Sequence, residues 1–278
     1  MKTQIYQICY SQGTLAQVPE GFLTLDNTEN TRADWREYWP IRNFLLNNYL
    51  SDDVLYGFLS PKFQSKTLLN HNSIQQFLDL HYQNEDVVSF SPFWDLTSIF
   101  KNIYEQGDFF HSGLANICQL FCDQFAAGLD TRNAITHSQN TIFCNYFLAK
   151  KSFWNEWLNL GEKLFQCAEQ NASPLANELN QTTTYGVQQL PMKIFVQERI
   201  ATSALLLNSE IKCLAYNMFN TGPSTTPFNQ FLNEAVISDS LKMSYTRTKH
   251  PIYLNQFGVI RDGIISKMRT PIGEIACK

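Results

Sequence analysis

Two short apolar runs that each end at a Ser-Pro pair place the strongest constraint on the fold. One covers Val54–Leu59 and is followed by Ser60-Pro61, and the other covers residues 86–90 and is followed by Ser91-Pro92. Apolar runs of this length, bounded by turn residues, are typical of strands buried within a sheet. Segments with helical spacing lie between and after them. Strands that alternate with helices predict an α/β fold.

The same pattern extends along most of the chain. Residues 5–10, 23–27 and 142–149 are predicted as further strands, because they are apolar or rich in β-forming residues. The polar stretch at residues 169–189 is predicted as a loop. Apolar residues at helical spacing over residues 196–214 predict one long helix.

A stretch rich in Gly, Pro and Thr at residues 221–227 predicts a linker near the end of the fold. We expect residues 1–220 to form the main α/β domain. Residues 221–278 would form a helical or irregular appendage packed on the same domain, since 278 residues suit one large domain.

Composition argues against several classes of protein. The net charge is −4 with lysine and arginine scattered, so no basic patch predicts nucleic-acid binding. The seven cysteines include no C-x-x-C pair, which argues against a zinc or redox site and fits a reducing cytoplasm. The start is too polar for a signal peptide, and no long apolar run predicts a membrane span. We expect a cytoplasmic protein without a transmembrane segment, for which peripheral association with a membrane stays open.

Signatures of several common enzyme classes are absent from the sequence. It contains no G-x-x-x-x-G-K-[ST], no G-x-G-x-x-G, no H-E-x-x-H and no G-x-S-x-G. This argues against P-loop enzymes, dinucleotide oxidoreductases, zincins and serine hydrolases. The sequence also has no clear D-x-D, the motif with which many nucleotide-sugar enzymes hold a divalent cation, so no metal-binding residue is predicted.

Two stretches combine aromatic and charged residues in a way that packing alone does not require. They are DWREYWPIRN at residues 34–43 and YGFLSPKF at residues 56–63. Arginine, acids and aromatic faces together suit a flat charged ligand such as a nucleotide, or a sugar. Tryptophans near helix starts are as often core anchors. Asp34 followed by Glu37 also matches a capping box, which is a structural role.

The order of such blocks resembles bacterial glycosyltransferases of capsule and O-antigen synthesis that have the GT-A type of nucleotide-sugar fold. The matching blocks are EYWPIRN at residues 37–43, YGFLSPKF at 56–63, NYFLAK at 145–150 with Phe153, Trp154 and Trp157, and FVQER at 195–199. The resemblance implies a GT-A-like (Rossmann-like) sheet flanked by helices. It also implies a hexosyltransferase-type enzyme that moves a sugar from a nucleotide-sugar, a UDP-sugar foremost, to a glycan acceptor. Mn²⁺ or Mg²⁺ serves many enzymes of this kind, but no D-x-D supports it here.

Two acids are candidate catalytic residues for such a transfer. An inverting transfer needs a base for the acceptor hydroxyl, and Glu198, beside Arg199 at a predicted helix start, is the first candidate. Asp95, which follows a predicted strand, could act as the base or hold a sugar hydroxyl. The structural alternatives are an ion pair between Glu198 and Arg199, and a helix N-cap at Asp95.

Polar and basic residues near predicted strand ends and in the C-terminal segment are candidates for substrate binding. Cations would stabilise the departing diphosphate, although a basic turn exposed to solvent is the alternative for the C-terminal ones. The predicted donor-binding residues are Asp26, Arg42, Asn43, Ser60, Lys62, Arg247, Lys249 and His250. The predicted acceptor-binding residues are His111, Asn145, Tyr146 and Trp154, for which packing in the core is the alternative.

Two other functions are compatible with the sequence. A carbohydrate-binding module without catalysis would stack its aromatics on a glycan and use its acids as helix caps. A mostly helical interaction protein is a third hypothesis, which the strands predicted at Val54–Leu59 and residues 142–149 disfavour.

Overall fold

A mixed sheet of six strands forms the centre of the computed structural model, which describes residues 2–170 and 172–269. The strand order is β2-β1-β3-β5-β4-β8, and β6 and β7 form a separate hairpin. The α/β class predicted from the sequence is confirmed. The strands are β1 (Lys2–Cys9), β2 (Leu23–Asp26), β3 (Val54–Leu59), β4 (Val87–Ser89), β5 (Phe147–Ala149), β6 (Thr182–Tyr185), β7 (Gln188–Pro191) and β8 (Cys213–Ala215).

One strand, β5, runs against all the others in the sheet. It pairs antiparallel with β3 on one side and with β4 on the other, whereas the remaining neighbours pair in parallel. The carboxyl ends of the parallel strands therefore share one edge of the sheet with the amino end of β5. Ligand sites of open α/β sheets are built at this carboxyl edge.

Helices cover both faces of the sheet. Successive residues of β3 alternate between two cores, with Tyr56 and Phe58 on one face and Leu55 and Leu59 on the other, as the two-residue repeat of a strand requires. The helices are α1 (Gln12–Leu15), α2 (Tyr38–Asn47), α3 (Phe63–Thr67), α4 (His71–His81), α5 (Trp94–Ile99), α6 (Ile103–Phe110), α7 (Leu114–Phe125), α8 (Lys151–Gln170), α9 (Pro174–Asn180), α10 (Met192–Gln197), α11 (Ile200–Leu207), α12 (Leu232–Thr248) and α13 (Pro251–Arg269). Within the described residues, no helix is both long and apolar enough to cross a membrane.

Several helices begin at a side chain that satisfies their free backbone N–H groups. Asn102 accepts hydrogen bonds from the N–H groups of Tyr104 and Glu105 at the start of α6, and Ser173 caps α9 ahead of Pro174. The capping box predicted at Asp34 and Glu37 is wrong. Asp34 lies in a short 3-10 turn, and α2 has no side-chain cap.

The largest core lies between the sheet and α8. The Trp154 ring is fully buried, stacks on Phe147 with centroids 4.6 Å apart, and donates a hydrogen bond from Nε1 to the Tyr56 carbonyl at 3.0 Å. Trp35 and Tyr38 are also buried in this core. Packing is therefore the role that these aromatics of the 34–43 stretch have in the fold.

The strand predicted at residues 142–149 is shorter than its apolar run. Its first backbone N–H groups are bonded to side chains, Ile142 to Thr202 Oγ1 and Phe143 to Ser91 Oγ, both at 2.9 Å. Cys144 and Asn145 then adopt positive φ angles of 60° and 54°, which end extended pairing. Only Phe147–Ala149 enters the sheet.

Two further boundaries differ from the sequence prediction. The polar stretch at residues 169–189 is mostly ordered secondary structure, since it holds the end of α8, helix α9 and much of the β6–β7 hairpin. The helix predicted over residues 196–214 is divided into α10 and α11, and its last residues form β8 against β4. Long-range strand pairing overrides the local helical spacing there.

The C-terminal segment packs against α5, the helix that follows β4. Asp95 accepts hydrogen bonds from Ser224 through both backbone N (2.8 Å) and Oγ (2.6 Å). Lys242 of α12 is buried, and its Nζ donates to the carbonyls of Thr97 and Phe100 at 2.6 and 2.7 Å. The segment predicted as an appendage thus has two helices, α12 and α13, and buried polar contacts with α5.

Gly161 in α8 lies directly against the Tyr38 ring. A Cβ added at Gly161 would lie 2.5 Å from Tyr38 Cε2. Tyr38 cannot yield easily, because it is fully buried and its hydroxyl donates to Glu162 at 2.9 Å. The close approach of α2 and α8 depends on the missing side chain.

We expect Gly161→Ala to lower the free energy of unfolding by about 1–3 kcal/mol, the usual effect of overpacking a core. The matched control is Gly258→Ala in α13, where an added Cβ meets no atom within 4 Å. That change should stabilise by up to about 1 kcal/mol through helix propensity alone. Urea denaturation of both variants measures the difference, and equal effects would contradict the proposed close contact.

Candidate functional site

A cavity of about 430 Å³ opens at the carboxyl edge of the sheet between β1 and β3. Because β2 and β3 lie on opposite sides of β1, the strand order reverses at this point, where open α/β sheets bind their ligands. Residues after β1, after β3, before α2 and at the end of α10 build its walls. The lining residues are Tyr10, Thr14, Asn30, Ala33, Arg36, Glu37, Ser60, Pro61, Lys62, Lys66, Tyr185, Leu190, Ile194, Phe195, Gln197 and Glu198.

Two glutamates, Glu37 and Glu198, line this cavity together. Burial, strengthened by the charge of Glu198, raises the pKa of Glu37 to about 7, although Lys66 opposes the shift. Burial also raises the pKa of Glu198 against the charges of Arg199 and Lys66, even though 44% of its side chain is exposed. Like charges in one cavity disfavour double ionisation. The pair therefore holds a proton below about pH 7.

Several cations lie around the two acids. Arg199 Nη1 is 3.6 Å from Glu198 Oε2, which is the ion pair that the sequence offered as the structural alternative. Lys66 Nζ in α3 lies 3.3 Å from Cys144 Sγ. Burial lowers the pKa of Lys66, but Cys144 and the two glutamates outweigh burial, so the pKa of Lys66 is raised overall. Arg36 has a left-handed backbone with φ of 48° and donates to Gln188 of the hairpin at 2.7 Å. Lys62 is exposed at the mouth. Their charge exceeds that of the half-protonated acid pair, which favours an anionic ligand.

A buried polar group of three residues lies behind the wall of the first cavity. Ser60 Oγ and Tyr146 Oη lie 2.7 Å apart, and burial raises the pKa of Tyr146. Asn145 is fully buried, and neither its amide nitrogen nor its amide oxygen has a hydrogen-bond partner. The Asn145 amide lies close enough to the Glu37 carboxylate to lower the pKa of that group. Asn145 thus acts on Glu37 from behind the cavity wall.

A second cavity, of about 490 Å³, adjoins the first. Lys66, Tyr185, Phe195 and Glu198 line both. His111 lies in the wall of the second cavity, with its ring stacked on Phe195 at a centroid distance of 3.7 Å. Glu198 thus stands at the junction of two spaces.

Of the residues predicted to act on a substrate, the structure brings several to these cavities. Glu198, Ser60 and Lys62 line the first cavity, and His111 lines the second. Asn145 and Tyr146 lie behind the first cavity wall.

Four of the predicted residues have contacts elsewhere in the fold. Arg42 forms a two-point ion pair with Glu162 and lies over the Phe165 ring at 4.4 Å, between α2 and α8. Its neighbour Asn43 is half-buried on α2 and lines neither cavity. Asp95 is fully buried on Ser224, and Trp154 is fully buried in the core, so neither offers a surface to a ligand.

The remaining predicted donor-binding residues are exposed and line neither cavity. Asp26 ends β2 and accepts a hydrogen bond from the Thr28 N–H at 2.9 Å. Arg247 lies in the last turn of α12, and Lys249 and His250 form the turn before α13. The structure therefore keeps this basic segment apart from the first cavity.

Sequence reasoning missed Glu37, Lys66, Arg36 and Gln197 as cavity residues. Glu37 was hidden by its match to a capping box, although it lies within the aromatic and charged stretch at residues 34–43. Lys66 follows Lys62 by one helical turn, and this spacing places both on one helix face. Two lysines at this spacing after a predicted strand could have indicated that Lys66, like Lys62, lines the cavity.

Within residues 2–170 and 172–269, no group of three or more His, Cys, Asp or Glu side chains is arranged to hold a metal ion. The positive charges beside the acid pair come from lysine and arginine.

Comparison of the chain with protein-family models, with curated proteins and with solved structures finds no match. The cavity geometry and its charges are thus the observations from which a function can be proposed.

We expect Glu37→Gln to raise the free energy of unfolding at pH 8 and to change it little at pH 4. Folding raises the pKa of Glu37 from 4.5 to about 7. The stabilisation from the neutral Glu37 carboxyl is therefore complete below pH 4.5. This stabilisation is lost as the pH rises through about 7. One pKa unit corresponds to about 1.4 kcal/mol, which limits the gain at pH 8 to about 3 kcal/mol.

Urea denaturation at both pH values measures this effect. Glu20→Gln is the control, since it removes an exposed carboxyl that lies outside both cavities. A gain from Glu37→Gln of the same size at both pH values would contradict the raised pKa.

Proposed function

We propose that this protein is a glycosyltransferase that moves a sugar from a nucleotide-sugar, foremost a UDP-sugar, to a glycan acceptor in surface polysaccharide synthesis. Its α/β sheet would then be a variant of the GT-A type. The observation that carries the proposal is the pairing of Glu37 and Glu198 beside Lys66, Arg36 and Lys62 in one cavity at the carboxyl edge. This arrangement joins a base with cations in the place where such sheets bind ligands.

The cations suit the diphosphate of the donor. Lysine and arginine bind phosphate oxygens by charge-assisted hydrogen bonds, and arginine can do so through two N–H groups. A diphosphate in the first cavity would meet Lys62, Lys66 and Arg36. These residues would offset the charge that develops on the departing diphosphate, with or without a divalent cation.

The two glutamates suit a direct displacement. Glu198 takes the proton from the acceptor hydroxyl while that oxygen bonds to the anomeric carbon and the bond to the diphosphate oxygen breaks. Below about pH 7, Glu37 is the protonated member of the pair and can donate a hydrogen bond, which leaves Glu198 as the carboxylate. A single displacement of this kind inverts the anomeric configuration.

The free cysteines support the proposed cytoplasmic location. Those within the described residues are all unpaired, and most are buried. Reduced thiols are typical of a reducing compartment, where nucleotide-sugars are also used.

A carbohydrate-binding protein without catalysis is the second candidate. The aromatic lining of the second cavity favours it, since Phe110 and Tyr185 expose 38% and 55% of their surface. Glycan binding with no nucleotide binding would identify this function and exclude the first.

We expect a nucleotide-sugar to raise the thermal unfolding temperature, because a ligand that binds only the folded state stabilises it by mass action. The screen uses UDP-, GDP- and dTDP-sugars, with and without Mn²⁺. Lys62→Ala should weaken binding about tenfold, the equivalent of about 1.4 kcal/mol. Arg247→Ala, at an exposed cation outside both cavities, is the matched control. No shift with any nucleotide-sugar would refute the proposed donor.

Glu198→Gln should lower the rate of sugar transfer or of donor hydrolysis by about 10²–10⁴, the usual effect of losing a general base. Donor affinity should change much less, since Gln keeps the size of the side chain. Product analysis by mass spectrometry gives the rate, and calorimetry gives the affinity. Unchanged turnover in this variant would remove Glu198 from the mechanism.

Donor affinity should fall by up to about tenfold as the pH rises from 6 to 8, a loss of about 1.4 kcal/mol. Ionisation of Glu37 through its pKa of about 7 adds a negative charge beside the diphosphate. The phosphates of a nucleotide-sugar are diesters and stay ionised over this range. Calorimetry should show that Glu37→Gln removes most of the pH dependence of donor affinity. An equal change of donor affinity with pH in the variant and the unmodified protein would count against this role of Glu37.

A further inference from the structure

The second cavity has more aromatic residues in its wall than the first. Its lining includes the rings of Phe93, Phe110, Phe143, Tyr185 and Phe195, together with several threonines. Aromatic faces with neutral polar groups between them suit the apolar face and the hydroxyls of a sugar ring.

Three charged residues line this cavity, of which one is hydrogen-bonded to the protein and two also line the first cavity. The guanidinium of Arg199 donates three hydrogen bonds to protein groups. Nε donates to the Ile103 carbonyl at 3.1 Å, Nη1 to the Phe195 carbonyl at 2.5 Å, and Nη2 to Gln106 Oε1 at 3.1 Å. Lys66 and Glu198 are shared with the first cavity. The lining therefore offers no free cation of its own, which favours an uncharged ligand.

His111 carries an unsatisfied polar atom in this wall. The residue is 7% exposed, and its buried Nδ1 has no hydrogen-bond partner. Burial, aided by the charge of Arg199, lowers the pKa of His111 to about 4, so the ring is neutral at physiological pH. A neutral imidazole can donate or accept one hydrogen bond, and a ligand hydroxyl can do either.

We propose that the second cavity binds an uncharged saccharide and that His111 hydrogen-bonds one of its hydroxyls. The proposal rests on the proposed function, within which this saccharide is the acceptor. Glu198 lines both cavities, so a hydroxyl of a sugar in the second faces a donor sugar in the first across the base. Phe110 and Tyr185 provide the stacking surfaces.

The test measures saccharide binding to the full chain by saturation-transfer NMR and calorimetry. The neutral probes are lactose, cellobiose, mannobiose and chitobiose, and the acidic probes are sialyllactose and a uronic-acid disaccharide. We expect binding of at least one neutral probe in preference to the acidic ones. His111→Leu, which keeps an apolar side chain against Phe195, should weaken it at least tenfold.

Phe110→Ala is the second variant, at a ring that is 38% exposed, and it should also weaken saccharide binding about tenfold. Lys62→Ala changes only the first cavity and should leave saccharide affinity unchanged. Thermal unfolding of each variant shows that it is folded. Binding of none of the probes, binding of acidic probes alone, or unchanged affinity in both cavity variants would overturn the proposal.

Nucleotide-sugar binding separates this proposal from the proposed function. If a nucleotide-sugar binds in a Lys62-dependent manner and no neutral saccharide binds, the second cavity is misassigned while the donor site stands. If a neutral saccharide binds in a His111-dependent manner and no nucleotide-sugar binds, the saccharide site stands and the transfer reaction fails.

Discussion

The antiparallel pairing of β5 with both β3 and β4 is the interaction on which the rest of the structure depends. Three residues, Phe147–Ala149, join the half of the sheet made by β2, β1 and β3 to the half made by β4 and β8. The same residues anchor the main core, since Phe147 stacks on Trp154 of α8. Because β5 runs against its neighbours, the turn that precedes it arrives at the carboxyl edge, where the first cavity lies.

That turn determines what the cavity can do. Cys144 and Asn145 both have left-handed backbones, which aim Asn145 towards Glu37 and bring Cys144 to Lys66. Left-handed conformations at residues other than glycine carry strain, and such strain concentrates at functional sites. The buried polar group behind the cavity wall thus comes from one reversal of the chain, and its Asn145 lowers the pKa of Glu37 against the larger effect of burial.

The sequence was informative where the signal is local. The strand at Val54–Leu59, with its Ser60 ending, was predicted with its correct bounds, because its apolar run and Ser-Pro stop need no distant contact. The strand predicted at residues 142–149 was too long, because the first backbone N–H groups of this run donate to the hydroxyls of Thr202 and Ser91. Neither partner is visible from local pattern.

The candidate site followed the same rule. Ser60 and Lys62 were predicted because they follow a strand. The pKa of Glu37 is raised first by burial and then by the charge of Glu198, and both depend on residues that are distant in sequence. Arg42 was predicted as a ligand contact, but its charge is paired with Glu162 of α8. Residue type and spacing cannot distinguish a free arginine from a paired one, since the partner comes from another element.

The central position of β5 also has a consequence for the order in which the chain can fold during synthesis. Once Leu59 has been synthesised, the edge of β3 that pairs with β5 has no partner strand until Phe147 emerges. Strand β4 is synthesised before Phe147, but its place in the sheet is on the far side of β5. Uncovered strand edges are templates for wrong pairing, and growing chains fold from the N-terminus. The interval between those two residues is therefore the period in which a nascent chain is most exposed to aggregation and has most need of a chaperone.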